Sequence, residues 1–266
     1  MTSRRGFFRG ALLVAGGAVL GAASSKVPRW FGPDRQPLQG GYAAGSDRNL
    51  WPAEGQQGVT WHVSTDQPLV ALTFDDGPGP NYTPLVLDTL DKYDAPATFF
   101  MVGERLAEHH KLVEGRLGRH EVGNHTWSHA DLSEQDFDGV TRQLKRTHDA
   151  IVTYTGRVPR LLRPPWGHLG GSTLLAANAL GYDVVLWSYQ MHEKRYAQNP
   201  QAQISDIVTK SRPGEIILAH DYGDQQRLVA LGHLGPMIEG LRARGMKLVT
   251  VSELLAAGRV RPPKGP

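Results

Sequence analysis

The sequence predicts an α/β fold in which parallel strands alternate with helices and close, or nearly close, into a barrel. Three observations carry that prediction. From about residue 67 onward, short apolar runs alternate with amphipathic segments of helical period, the pattern of βαβ units. About six or seven such units are present, enough to curl a parallel sheet round on itself. Most of the polar motifs stand just after an apolar run, and the carboxyl ends of barrel strands are where such folds gather their chemistry.

Taken in order, the first strand is the run Leu69–Phe74, followed by a helical pattern over Thr83–Lys92. The run Ala97–Val102 leads into helical patterns at Glu104–Leu117 and Ser133–Tyr154. A short run, Leu161–Leu162, precedes a helix over Gly171–Leu180, and Val184–Trp187 precedes one over Ile204–Lys210. The run Ile216–Ala219 is followed by a long helical pattern, Gln226–Arg244, and Lys247–Val251 is the last strand.

Composition sets the outer limits. The chain has 266 residues, 40% hydrophobic and 21% charged, which suits one large globular domain with a full core. It has no cysteine, so disulfides and thiolate ligands are excluded and any metal site must use histidine and carboxylate. The net charge is +3, but Arg4, Arg5 and Arg9 lie in the first 25 residues with no acidic residue beside them. The remainder carries 26 basic and 26 acidic side chains, so nothing electrostatic points to nucleic acid.

Residues 1–25 read as a twin-arginine signal peptide: Arg4-Arg5 precedes a weakly apolar, glycine-rich run from Ala11 to Ala23. That run is too short and too rich in glycine for a spanning helix, and cleavage near Ala23 is expected. Residues 26–65 read as a Pro/Gly-rich linker, 66–258 as the folded domain and 259–266 as a disordered tail. Export by the twin-arginine route, an extracellular or cell-wall location, a domain outside the membrane and a monomeric state are the expectations.

Four motifs carry chemistry. Thr73-Phe74-Asp75-Asp76-Gly77-Pro78 ends the first apolar run in two adjacent carboxylates. Such a pair is costly unless a cation or a shared proton relieves it. A phosphatase-like Asp-x-Asp nucleophile is excluded because position 77 is glycine. His125-Thr126-Trp127-Ser128-His129 spaces two imidazoles so that a helical or tight turn can bring both to one metal ion. Arg163-Pro164-Pro165-Trp166-Gly167 is a rigid turn that can hold a guanidinium against a carboxylate. Ile216-Ile217-Leu218-Ala219-His220-Asp221 ends a strand in a histidine placed for acid or base work. Each motif alone could be an ordinary turn, cap or core residue.

In this order and spacing the four motifs resemble the NodB-type polysaccharide deacetylases, carbohydrate esterase family 4, over roughly residues 66–255. The resemblance implies a distorted (β/α) barrel of about seven parallel strands, the NodB homology domain. It implies a divalent metal held by Asp76, His125 and His129, with zinc favoured and cobalt or nickel as alternatives. It implies Asp75 as general base, Arg163 as the group positioning it, and His220 as general acid. Trp166 would wall the substrate groove, with a backbone N–H near it bonding the oxyanion, and Leu218 would line the acetyl pocket. The implied substrate is an acetylated polysaccharide, such as peptidoglycan or a chitin-like N-acetylglucosamine polymer.

One motif departs from the family. Where the family has Asp-x-x-Asp-Trp, this chain has Gln190, Glu193 and Lys194. Glu193 can still partner His220, with one more methylene to place, but Lys194 supplies no aromatic wall. Two rival readings therefore stand beside N-deacetylation: an O-acetyl esterase acting on a xylan-like glycan, and a catalytically weak glycan-binding barrel.

Overall fold

The structure, a computed structural model, describes residues 56–258. The expected signal peptide, the linker as far as residue 55 and the tail 259–266 lie outside the described residues. The strands are β1 (Val59–Thr60), β2 (Leu69–Asp75), β3 (Thr98–Met101), β4 (Glu121–Asn124), β5 (Leu161–Leu162), β6 (Asp183–Val185), β7 (Tyr189–Gln190), β8 (Ile216–His220) and β9 (Lys247–Val249). The helices are α1 (Thr83–Lys92), α2 (Gly103–His109), α3 (Phe137–Thr155), α4 (Gly171–Ala179), α5 (Pro200–Lys210), α6 (Gln226–Gly232), α7 (Leu234–Ala243) and α8 (Val251–Ala256).

The strands form one sheet in the order β1-β6-β5-β4-β3-β2-β8-β7, with β9 added against β2. Every named pairing is parallel. Only residues 186–188 separate β6 from β7, yet these two strands stand near opposite ends of that order. A chain advances at most about 3.6 Å per residue, so the sheet has to curl until its ends meet. The handover shows in the backbone: the Leu186 N–H donates to Thr60 and the Ser188 N–H to Ile216.

Curling gives each strand an inner and an outer face. Along β2, Val70, Leu72 and Phe74 pack outward with α1 residues such as Val86, Leu87 and Leu90. Leu69 and Ala71 point inward with Phe100, Leu161, Val185 and Ile216. The strict period of two then puts Thr73 and Asp75 inside as well, above that inner apolar layer. The helices cover the outside, and a third cluster seats α3 and α4 against Leu162 and Val184.

Among the described residues nine strands are present where about seven were expected, and the additions have simple causes. β4 is Glu-Val-Gly-Asn, with one large apolar residue, so its sequence shows no apolar run. Its inner position is glycine because Phe100 fills the space: a Cβ at Gly123 would lie 2.5 Å from that ring. β1 falls within the stretch read as linker over 26–65, which corrects that boundary: Val59 and Thr60 pair with Val184 and Val185, and Val63 is buried. A two-residue strand is too short to show a period.

Helix limits shift for local reasons. The pattern at 226–244 is two helices, because Pro236 has no N–H to offer the Gly232 carbonyl and its ring crowds it. The helix expected to reach Leu117 ends at His109 and gives way to a 3-10 turn. α3 begins where the Asp136 side chain accepts from the Gly139 N–H and stops at Gly156 in the left-handed region.

Candidate active site and metal centre

β2 ends at Asp75, and Asp76 turns out of the strand at φ 76°. β8 runs alongside in register, Asp75 opposite His220. In-register residues on parallel strands point to the same face, so these two side chains emerge together at the carboxyl end of the barrel. The His125–His129 loop follows β4, and the Arg163–Gly167 turn follows β5. The parallel sheet therefore brings all four motifs to one mouth.

Asp76, His125 and His129 form the one cluster of potential metal ligands among the described residues, with one donor atom from each all within 4.8 Å of one another. Asp76 Oδ1 lies 3.0 Å from His129 Nε2 and 3.6 Å from His125 Nε2. His125 Nδ1 sits 2.6 Å from the Arg163 carbonyl, which can only accept, so Nδ1 carries the proton and the Nε2 lone pair faces Asp76. Burial works to raise the Asp76 pKa, but the neighbouring imidazoles of His125 and His129 outweigh it and hold the carboxyl well below the usual range. An anionic oxygen and two imidazole nitrogens with free lone pairs fit a borderline divalent cation.

Beside this cluster stand two separate pairs. Arg163, fully buried, donates through Nη1 to Asp75 Oδ1 at 2.8 Å and to Thr73 Oγ1 at 2.7 Å. Its Nε and Nη2 donate to the Val185 and Leu186 carbonyls, and its guanidinium lies 4.0 Å above the Phe100 ring. Asp75 Oδ2 is left facing His125 Nε2 at 3.8 Å. In the other pair, His220 Nδ1 and Glu193 Oε1 are 2.8 Å apart. Burial tends to lower the His220 pKa, but the Glu193 carboxylate bonded to it raises it overall. Glu193 moves the opposite way: burial favours its neutral form, and the bond to His220 wins and lowers it.

Trp166 adopts φ 55° and is 57% exposed, with its ring centroid 4.4 Å from that of His129. Leu218 is buried two residues before His220 on the same strand face. Gln190 pairs with Leu218 across β7 and β8, and Lys194 turns to the rim, 3.3 Å from Asp224. Left-handed non-glycine residues gather here: Asp76, Thr126, His129 and Trp166 are four of the six among the described residues. Such conformations cost about 1–3 kcal/mol each and persist where function demands them.

Several supports had no visible mark in the sequence. Arg227 Nη1 reaches Asp76 Oδ2 at 3.1 Å, and Arg105 Nη1 bonds the Asp76 carbonyl at 2.6 Å. Gln143, on α3, accepts from the Trp127 and Ser128 N–H groups and donates to Ser128 Oγ. Asp221, buried, takes the Gly77 N–H and the Thr83 hydroxyl, and burial pushes its pKa up to about 7. A Cβ at Gly77 would lie 2.2 Å from the Asp221 carboxylate, which makes position 77 a required glycine. Only Asp221 had a visible signal, its place directly after His220. The others sit in helical patterns that look like ordinary solvated faces.

Comparison with known proteins agrees with this geometry. The family model described as polysaccharide deacetylase matches residues 62–185. A peptidoglycan-N-acetylglucosamine deacetylase of Bacillus cereus is 37% identical over 203 residues, covering 74% of this chain and 92% of the relative. Among solved structures, a peptidoglycan N-acetylglucosamine deacetylase superposes with a TM-score of 0.71 at 27% identity, over 77% of this chain and 96% of the other. A Bacillus anthracis protein described as a pseudoenzyme of carbohydrate esterase family 4 superposes with a TM-score of 0.69 at 25% identity, over 77% and 71%. With the fold, the mouth and these likenesses in agreement, the chain belongs to the NodB-type polysaccharide deacetylase family.

Proposed function

We propose that this protein is a metal-dependent hydrolase that removes N-acetyl groups from N-acetylglucosamine units of a glycan, with cell-wall peptidoglycan the favoured polymer. The observation that carries the reading is the juxtaposition of an Asp-His-His donor cluster with two independently held groups, a carboxylate and an imidazole, in register on adjacent strands. A fold alone would not suffice, since a pseudoenzyme shares it.

Asp76, His125 and His129 would hold the ion, zinc by the character of its donors. Bound there, a divalent cation supplies Lewis acidity to the acetyl carbonyl and lowers the pKa of water. The protein groups divide the proton work. Asp75, its other oxygen fixed by Arg163, takes a proton from the water that attacks the acetyl carbon. As the carbon–nitrogen bond breaks, His220 gives its proton to the departing amine, and acetate is released. A backbone N–H near Trp166 would bond the oxyanion, the indole ring would stack on a sugar, and Leu218 would meet the acetyl methyl. Glu193 holds His220 in its charged form. Export to the cell wall, read from Arg4-Arg5 and the apolar run after it, would bring the enzyme to this substrate.

The test is acetate release from matched N- and O-acetylated oligosaccharides by protein reconstituted with Zn2+ or Co2+. Turnover of N-acetylglucosamine oligomers, lost on chelation and reduced about 10²–10⁴-fold in Asp75→Asn, is the expected result. Release from O-acetyl xylo-oligomers alone would favour the esterase reading. Tight glycan binding without metal-dependent release would overturn the enzyme reading in favour of a binding barrel.

A further inference from the structure

Arg227 has no place in the proton transfers above, yet it reaches the carboxylate expected to bind the metal. It is the second residue of α6, half-buried, and its Nη1 lies 3.1 Å from Asp76 Oδ2 while also donating to the Tyr222 carbonyl. The two oxygens of Asp76 have thus been given different work. Oδ1 faces the Nε2 atoms of His125 and His129, and Oδ2 is held by a guanidinium that can never give up its charge. The main chain is fixed as well: Arg105 Nη1 bonds the Asp76 carbonyl, and its guanidinium stacks 3.8 Å from the Tyr222 ring. Tyr222 therefore meets both arginines, one through its ring and one through its carbonyl.

We infer that Arg227 is a positioning residue that keeps Asp76 a one-oxygen ligand, reserving the remaining coordination positions of the ion for water and the acetyl oxygen. A carboxylate can bind a divalent ion through one oxygen or two, and a second oxygen would occupy a position that the reaction needs. Arg227 opposes the two-oxygen mode twice over. It occupies Oδ2 directly, and it places a positive charge beside a site meant for a cation. The cost is weaker metal binding than the same three ligands would otherwise give. The gain is an ion left open to substrate.

This inference rests on the metal reading of the site, so the experiment has to separate the two. Wild-type, Arg227→Met and Arg227→Lys proteins are loaded with Co2+, titrated against a competing chelator, and compared by visible absorption. Arg227→Met is expected to bind Co2+ about tenfold more tightly than wild type. Its visible bands should be weaker by about half, because the added oxygen raises the coordination number, and its kcat should fall more than its KM changes. Arg227→Lys, which keeps the charge, should return most of the wild-type spectrum. A contact that merely braces Asp76 predicts the reverse sign, weaker Co2+ binding on its loss, and that result or an unchanged spectrum overturns the inference. Arg227→Gln carries the same expectation if the methionine variant does not fold. Failure of the wild-type protein to take up one Co2+ would instead overturn the metal reading itself.

Discussion

At the scale of single residues, the Glu193–His220 pair decides how the site responds to pH. A buried imidazole alone would lose its proton early, because burial disfavours the charged form. Here the Glu193 carboxylate 2.8 Å away reverses that, and the His220 pKa stands above its ordinary value. The acid therefore keeps its proton to higher pH than an ordinary imidazole would, and activity should fall as pH rises through the raised value. Glu193→Gln removes the negative charge and leaves burial in command. Its alkaline limb of kcat should move to lower pH, with a loss at neutral pH on the order of tenfold or more, within what general acid catalysis supplies. An alkaline limb that stays in place in the variant would remove His220 from the role of acid. The residues expected to act stand out because polar groups fall side by side in short motifs, as in Asp75-Asp76 or His125–His129, and the family resemblance supplied the roles proposed for them. The residues that orient them do not stand out, since Gln143 and Arg227 act across the fold from helices 15 and 151 positions away.

At the scale of elements, the loop proposed to hold the metal depends on α3. The loop from His125 to His129 has two left-handed residues, Thr126 and His129, and does not form regular structure. Gln143 substitutes for a strand neighbour: its amide oxygen receives the Trp127 and Ser128 N–H groups at 2.8 and 3.1 Å. Asn124, at the end of β4, receives the Thr126 N–H and donates to the Leu144 carbonyl on the same helix. Gln143→Ala leaves two loop N–H groups without their partner and frees His129 to wander. Metal affinity should fall about 10- to 100-fold, the usual cost of losing an outer-sphere support, with a stability loss of about 1–2 kcal/mol. Chelator competition and thermal unfolding would measure the two, and an unchanged metal affinity would detach α3 from the site. Long amphipathic helices such as α3 were legible because burial on one side repeats every 3.6 residues. β4 and β7 were not, because two to four residues cannot display a period and their inner positions are set by what the opposite wall already fills.

At the scale of the whole molecule, Arg163 ties Asp75, the proposed base, to closure of the barrel. Its guanidinium joins β2, through Thr73 and Asp75, to the segment leaving β6, through the Val185 and Leu186 carbonyls. That segment is where the curled sheet meets its other end. Arg163→Met leaves the Asp75 charge buried without its partner, and about 3–5 kcal/mol of stability should go with it. Adding Asp75→Asn should recover part of that loss without restoring activity, which denaturant unfolding of the single and double variants would show; strictly additive losses would mean that the pair is not coupled. The barrel itself was legible because its alternation of runs and helices spans the chain. The way it closes was not, because closure depends on one extended stretch changing partners between residues 185 and 189.

At the opposite end of the barrel a buried histidine couples the stability of the fold to acid. His120, just before β4, is 2% exposed, stands edge-on to Phe99, and neither ring nitrogen has a hydrogen-bond partner among the described residues. Burial dominates its titration and pulls the pKa down to about 4 from 6.5, with the nearby arginines adding to the effect. A histidine lowered in the fold binds its proton more readily when the chain is unfolded. Its neutral form costs nothing in pH terms above 6.5. As pH falls from there toward 4, the unfolded state gains protons that the folded state refuses, and stability drops by about 2 kcal/mol by pH 5 and on the order of 3 kcal/mol below pH 4. Leucine nearly matches the volume without titrating, so His120→Leu should flatten the decline in Tm between pH 7.5 and 5 by several degrees. The substituted site lies far from the mouth in the fold, so deacetylation at neutral pH should stay within twofold of wild type. Parallel Tm profiles for the two proteins across that range would show that this imidazole is not what limits stability in acid.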